Sequence, residues 1–257
     1  MEVILQARGL CKNFGAVSAA AEVSAAIERD SVVGLIGTNG AGKTTFINMI
    51  TGYLKPDRGS IEFEGRDITP LAPRDITRLG ICRSFQIPQL YGSLSVFDNM
   101  MVALGVVLAN AGRGGFFSRG HPVVPGFDAP AEEAAQRLLE RFGLAEYRDR
   151  NAQVLPGGVR KLLDIALAMV SRPRVLLLDE PTSGVSAGEK FGIMQMVLDG
   201  VRAEGATVLF VEHDMEVVSR FAQRVLAFYD GRIIADAAPQ MALADPEVKR
   251  YVVGRHA

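Results

Sequence analysis

Residues 37 to 44 read Gly37-Thr38-Asn39-Gly40-Ala41-Gly42-Lys43-Thr44, a fit to the pattern G-x-x-x-x-G-K-[ST]. These residue types in this order suit phosphate. Glycines let a loop curl so that backbone N–H groups converge on phosphate oxygens at the positive end of a following helix. Lys43 adds a mobile charge for β- and γ-phosphates, and the Thr44 hydroxyl offers a hard oxygen ligand to Mg²⁺.

A second chemical pair, Asp179-Glu180, closes the apolar run Val175-Leu176-Leu177-Leu178. Buried strands often finish at acidic loops, so the pair gains meaning from an α/β setting, where ligands bind at the carboxyl ends of parallel strands. There Asp179 is expected to orient Mg²⁺ through a water, and Glu180 to act as general base on the water attacking the γ-phosphate. The run Val208-Leu209-Phe210-Val211 likewise ends at Glu212-His213-Asp214, with His213 able to donate a hydrogen bond to a phosphoryl oxygen. A lone histidine taken by itself favours a structural role, and His121 and His256 stay in that class.

Gln86, closing Arg83-Ser84-Phe85-Gln86, is either a ligand to Mg²⁺ or a water through its amide oxygen, or a solvated loop residue. Phe14, in Lys12-Asn13-Phe14-Gly15, either lays its ring on adenine or belongs to the core. Leu155-Pro156-Gly157-Gly158-Val159-Arg160-Lys161 has no acid, imidazole or thiol, yet opens a helix running through Leu162, Ile165, Ala166 and Met169.

The elements that must position these groups alternate between strand and helix. Val32 to Ile36, Val175 to Leu178 and Thr207 to Val211 are short, unbroken apolar runs, as expected for strands covered on both faces in a parallel sheet. Lys43 to Gly52, Ala187 to Glu204 and Met215 to Ala222 carry helical spacing, and Asp230-Gly231 marks a tight hairpin. Val3 to Leu10 reads as a strand, and Ser60-Ile61-Glu62-Phe63-Glu64 alternates like a half-exposed antiparallel one. The chain is therefore an α/β core. From Gln86 to Pro156 helices are expected over Ser95 to Asn110 and Pro130 to Phe142, the latter stopped by Gly143. They flank a Gly/Pro-rich loop, Ala111 to Pro130, expected to be mobile. One domain is expected, with its core at 1–86 and 164–257 and a helical subdomain at about 87–163.

Composition narrows the partners. The 257 residues are 48% hydrophobic and 22% charged, enough for one large core, and the formal net charge of -1 gives no field favouring nucleic acid. Cys11 and Cys82 lack metal-ligand spacing and read as small buried residues in a reducing compartment. The apolar stretch around Met100 to Ala111 is too short to span a bilayer and no signal-type segment opens the chain, so a membrane role needs partner chains.

The order Phe14, Gly37 to Thr45, Gln86, Leu155 to Val159, Asp179-Glu180 and His213 resembles the ATP-binding subunits of ABC transporters over nearly the whole chain. The resemblance implies a P-loop NTPase fold with a RecA-like core, an N-terminal antiparallel β region and an inserted α-helical subdomain. It implies ATP and Mg²⁺ as ligands, with Phe14 as A-loop, Gly37 to Thr45 as Walker A, Gln86 as Q-loop, Asp179 and catalytic Glu180 as Walker B, and His213 as H-loop. It also gives the bare helix start a purpose. In the family two ATP-binding subunits, identical or related, pack head to tail, so Pro156, Gly157 and Gly158 would face ATP held by the partner's P-loop.

The chain departs from the family's Leu-Ser-Gly-Gly-Gln signature: Pro156 replaces the serine and Val159 the glutamine. Proline suits a first helical turn, where its missing N–H has no intrahelical partner, and the backbone contribution of the glycines can survive the change. Ser183-Gly184-Val185-Ser186 lacks the family's usual aspartate, with Ser186 placed to cap a helix from Ala187. Pro156 and the aspartate-free loop, with Ser84-Phe85-Gln86, Leu94 to Met100, Val211 to Met215 and Asp245-Pro246-Glu247, resemble the importers of branched-chain amino acids and amides, nearest their LivG-like ATPases, while Gly157 and Val159 differ from that group's common Leu-Pro-Tyr-Gly-Gln. That resemblance implies permease subunits as partners, a substrate-binding protein as an indirect one, and a place on the cytoplasmic face of the inner or plasma membrane. Residues Ile87 to Asn99 are expected to face the permease, although Leu90, Tyr91 and Phe97 also suit a subdomain core. The competing reading is a soluble single-cassette ATPase such as an iron–sulfur assembly scaffold. Absent heptad helices and a single cassette speak against DNA-repair and translation-factor types, and a P-loop kinase gives the Leu155 to Val159 helix start no task.

Overall fold

The structure, a computed structural model, describes residues 2–84, 90–111 and 123–254. In chain order the main elements are strands β1 (Val3–Phe14), β2 (Val17–Glu28) and β3 (Val32–Gly37), helix α1 (Lys43–Ile50), strands β4 (Arg58–Phe63) and β5 (Arg66–Asp67), helix α2 (Pro73–Arg78) and strand β6 (Ile81–Arg83). Helices α3 (Val96–Asn110), α4 (Ala131–Arg141) and α5 (Gly157–Met169) follow. The chain continues through β7 (Val175–Asp179), α6 (Lys190–Arg202), β8 (Thr207–Val211), α7 (Met215–Phe221), β9 (Arg224–Tyr229), β10 (Arg232–Ala237) and α8 (Pro239–Ala244). β2, β5, α2, β6 and α8 have no counterpart in the expectations from sequence. β2 is largely alanine and serine, and β6 is three residues long, so neither carries a strong hydrophobic period.

Contacts divide the chain into two compact units. The first comprises Met1–Arg83, Arg174–Pro181 and Gly205–Ala257. It holds a four-stranded antiparallel sheet, β2-β1-β4-β5, and a six-stranded sheet ordered β10-β9-β3-β8-β7-β6, parallel from β9 to β6. β3 is buried at every position, and β7 and β8 are buried except at Asp179, which explains why these runs lack alternation. Phe46, Ile47, Met49 and Ile50 of α1 join inward residues of both sheets in one apolar cluster. Within it the Phe46 and Phe228 rings tilt against each other at 5.5 Å, anchoring the helix under the loop that precedes it. Asp230 (φ 47°) and Gly231 (φ 72°) make the β9–β10 hairpin, both left-handed as a two-residue turn requires.

The second unit comprises Ser84–Pro173 and Thr182–Glu204, a wider span than the 87–163 read from sequence because α5 and α6 pack on each other within it. Ser95 caps α3 by accepting the Asp98 N–H at 2.9 Å, and Gly143 (φ 64°) ends the α4 turn by donating to the Glu140 carbonyl. Of the loop expected over Ala111 to Pro130, residues 112–122 lie outside the described residues, as do Gln86 and two of the histidines, His121 and His256. Val123 and Pro130 meet in an antiparallel bridge. The helix expected from Ala187 begins instead at Lys190. Ser186 opens the preceding turn with its carbonyl, which accepts from the N–H groups of Glu189 and Lys190, while its hydroxyl donates to the Glu189 carboxylate rather than capping a backbone amide. Cys11 and Cys82 are buried free thiols.

Candidate functional site

The glycine-rich stretch runs from the end of β3 into α1. Gly42, immediately before the helix, has φ 108°, and a Cβ there would fall 2.8 Å from the Ala19 carbonyl oxygen, so no other residue fits without moving the backbone. No side chain caps α1 and no acid stands in its first turn, which leaves its N–H groups without a resident anion. Lys43 is buried, and its Nζ donates to the carbonyls of Gly37 at 2.5 Å and Thr38 at 3.0 Å. Burial pulls the ammonium below its ordinary pKa, opposed by the charges of Glu180 and Asp179. The lysine thus stands in the field of both carboxylates, which come from a segment more than a hundred residues away.

That proximity follows from strand order. β8 lies between β3 and β7, with Leu35 paired to Val211 and Asp179 paired to Val211, so the carboxyl ends of the three strands lie side by side. Glu180 steps off β7 in a left-handed conformation, φ 47°, a strained state for a residue with a side chain. Its amide donates to the Val211 carbonyl at 3.1 Å, and its Oε1 lies 3.1 Å from Nε2 of His213. His213 is held at the start of α7, where Asp214 caps the helix by accepting from the Glu216 and Val217 amides. Three sequence expectations, Lys43, the Asp179-Glu180 pair and His213, therefore meet at one end of one sheet.

Thr44 is exposed and Thr45 half-buried at the start of α1, while Asn39 and Gly40 are exposed in the loop and Ala41 is buried. Phe14 is 53% exposed, which removes the core alternative for it. Two partnerships escaped the sequence reading. Asp57 accepts from Lys12 Nζ at 2.6 Å and from the Asn13 amide at 2.8 Å, tying down the strand end that carries Phe14. Arg83 places Nη2 2.5 Å from Asp179 Oδ2 and Nη1 2.7 Å from Asn48 Oδ1. The available signal for the latter was a cation closing the short apolar strand Ile81-Cys82-Arg83.

In the second unit Pro156 stands at the N-cap of α5 (ψ 151°), one position earlier than the first-turn place its sequence suggests. Its carbonyl accepts the Arg160 amide, and no side chain caps the helix. Pro156 and Gly157 are exposed. Gly158 packs on α6: a Cβ would lie 2.4 Å from Ile193 Cδ1, so the end of that side chain would have to turn aside. Gly158→Val should therefore overpack this contact at a cost of about 1–3 kcal/mol, lowering the melting temperature, with Ile193→Ala in the same chain restoring part of the loss. Equal melting temperatures for Gly158→Val and the unaltered protein would contradict that packing.

Oxygen donors dominate the site. The Thr44 hydroxyl and Asp179 carboxylate suit Mg²⁺, which binds through few protein oxygens plus phosphate and keeps several waters. A phosphate-binding loop at the end of a parallel strand, with an imidazole group after the adjacent strand and an acidic pair at the end of the strand beyond it, defines a P-loop nucleoside triphosphatase.

Comparison with known proteins narrows the class. The ABC transporter family profile matches residues 20–183. The branched-chain amino acid transport ATP-binding protein LivG of Escherichia coli is 34% identical over 254 residues, covering 98% of each chain. BraF of Pseudomonas aeruginosa, also named for branched-chain amino acid transport, is 33% identical over 251 residues, again 98% of each. The ADP conformation of MJ1267, an ATP-binding cassette of an ABC transporter, superposes with a TM-score of 0.82 at 32% identity, covering 97% of this chain and 98% of that one. The chain belongs to the ATP-binding cassettes of the ABC transporter family and is an ATPase.

Proposed function

We propose that this chain powers the import of branched-chain amino acids or related small amides and organic acids. It would do so as one of two ATP-binding subunits, identical or related, docked on permease subunits at the cytoplasmic face of the inner or plasma membrane. A substrate-binding protein would deliver the cargo. The observation that carries ATP hydrolysis is the convergence of Lys43, Asp179, Glu180 and His213 at the ends of β3, β7 and β8. The substrate class rests on the names of LivG and BraF, which favour transport over an iron–sulfur scaffold. Among the described residues no helix is long and apolar enough to cross a membrane, consistent with attachment through partners.

In this reading the backbone donors of Gly37 to Thr45, Asn39, Gly40, Ala41 and Gly42 among them, cradle the phosphates, and Phe14 stacks on adenine. Lys43 exchanges its carbonyl partners for β- and γ-phosphate oxygens, a charge-assisted replacement that offsets the burial of its ammonium. Glu180 takes the proton of the attacking water. His213 holds one oxygen of that carboxylate through Nε2 and, with nucleotide present, donates to a phosphoryl oxygen. Thr44, Asp179 and Gln86 would hold Mg²⁺, which when bound neutralises phosphate charge as a Lewis acid. Pro156, Gly157 and Gly158 present the uncapped start of α5 to the ATP of the second subunit, and without the side chains of serine and glutamine the backbone alone supplies that contact.

Gentle isolation from native membranes tests this function. Permease subunits and a second ATP-binding chain should co-purify, and recovery with iron–sulfur assembly proteins instead would overturn it. For the isolated chain, specific ATPase activity should fall on dilution, since each site needs a partner; activity independent of concentration would refute the shared site.

A further inference from the structure

The guanidinium of Arg83 lies between the segments that carry two of the three proposed magnesium ligands, Thr44 and Asp179. Nη2 donates to Asp179 on β7 and Nη1 donates to Asn48 on α1, one helical turn beyond Thr44 on the same face. The ion pair is well shielded, with Arg83 and Asp179 side chains 11% and 15% exposed. A planar guanidinium anchored at both terminal nitrogens fixes direction as well as charge, which a flexible ammonium does not.

We infer that Arg83 is a positioning residue for the metal: by holding Oδ2 of Asp179 and bracing it against α1, it aims the carboxylate toward the side of the site where Thr44 lies. This inference rests on the reading that Asp179 orients Mg²⁺ through a water. Physically, a carboxylate on a short side chain can rotate about two torsions, and an outer-shell hydrogen bond fixes which way its free oxygen faces. Arg83 removes that freedom before the metal arrives. A purely structural salt bridge would influence folding, whereas a positioning contact must also influence how strongly Mg²⁺ improves nucleotide binding.

The full-length chain is titrated with ATP by calorimetry in EDTA and in saturating Mg²⁺, with Mn²⁺ binding to the ATP-loaded protein followed by electron paramagnetic resonance. Arg83→Met, Arg83→Lys and Asn48→Ala are measured beside Asp179→Asn. Metal-free ATP affinity should stay within about twofold, while the gain conferred by Mg²⁺, and Mn²⁺ affinity with it, should fall roughly 10- to 100-fold in Arg83→Met. Arg83→Lys should recover only a minor part, because it restores charge without the planar guanidinium, and Asn48→Ala should fall between. If Asp179→Asn abolishes the gain and the Arg83 variants keep it, the inference fails and the magnesium reading stands. If Asp179→Asn keeps the gain, the magnesium reading itself fails. A larger gain in Arg83→Met would show that arginine competes with the metal for Asp179, which also overturns the inference. Should Arg83→Met not fold, Arg83→Lys and Asn48→Ala decide the matter by the same ratio.

Discussion

Glu180→Gln binds ATP with little change in affinity, hydrolyses it about 10²- to 10⁴-fold more slowly, and accumulates a nucleotide-dependent dimer. The magnitude is that of a positioned general base. Glutamine has nearly the same shape and can keep a hydrogen bond with His213 Nε2, which lies 3.1 Å from the carboxylate, so the site should remain assembled while losing its proton acceptor. The left-handed backbone at this position, φ 47°, places the same demand on either residue, so a stability difference should not obscure the kinetic one. Single-turnover hydrolysis and light scattering of the ATP-bound form measure the two parts separately. Turnover near the normal rate would remove Glu180 from the role of base, and loss of ATP binding would show that it acts on the ground state.

Lys43→Ala should weaken ATP binding by roughly 10- to 100-fold, the loss expected for hydrogen bonds from a charged donor. Folding should suffer far less. Burial holds the folded-state pKa of Lys43 below the ordinary 10.5, so the charged form is disfavoured by folding at neutral pH. The sign follows: the unfolded chain binds more protons at this site, and stability gained from Lys43 rises with pH through the window just below 10.5. The unaltered protein should therefore gain stability relative to Lys43→Ala in that alkaline window, while its ATP affinity declines as the ammonium loses its proton. Calorimetric affinity unchanged by the substitution would reject the phosphate contact. A stability difference that does not vary with alkaline pH would reject burial of a charged lysine.

Both predictions depend on groups far apart in the chain that the fold brings together. The glycine-rich loop was legible because its chemistry is local: Gly42 needs a left-handed backbone, and residues 37 to 44 run without a break from the last residue of β3 through the loop into α1. The buried strands were legible because burial on both faces imposes an unbroken apolar run, as at Val32, Leu177 and Leu209. The hairpin at Asp230-Gly231 was legible because its turn is local, two adjacent residues in left-handed conformations. β2 escaped notice because alanines and serines pair through the backbone, and backbone pairing leaves little trace in side-chain type.

By itself the sequence determined an α/β chain with a phosphate-binding loop, acidic and imidazole groups at the ends of apolar strands, and an uncapped helix start at Pro156. Local backbone geometry and hydrophobic period depend on neighbours in the chain, so one dimension suffices for them. Only the tertiary structure decided that β8 lies between β3 and β7, that His213 touches Glu180, that Asp57 ties down the strand bearing Phe14, and that Arg83 holds Asp179. Those contacts join residues 33 to 96 positions apart. Strand order sets them, and strand order emerges when the whole core packs, because no single segment carries the energy that selects it.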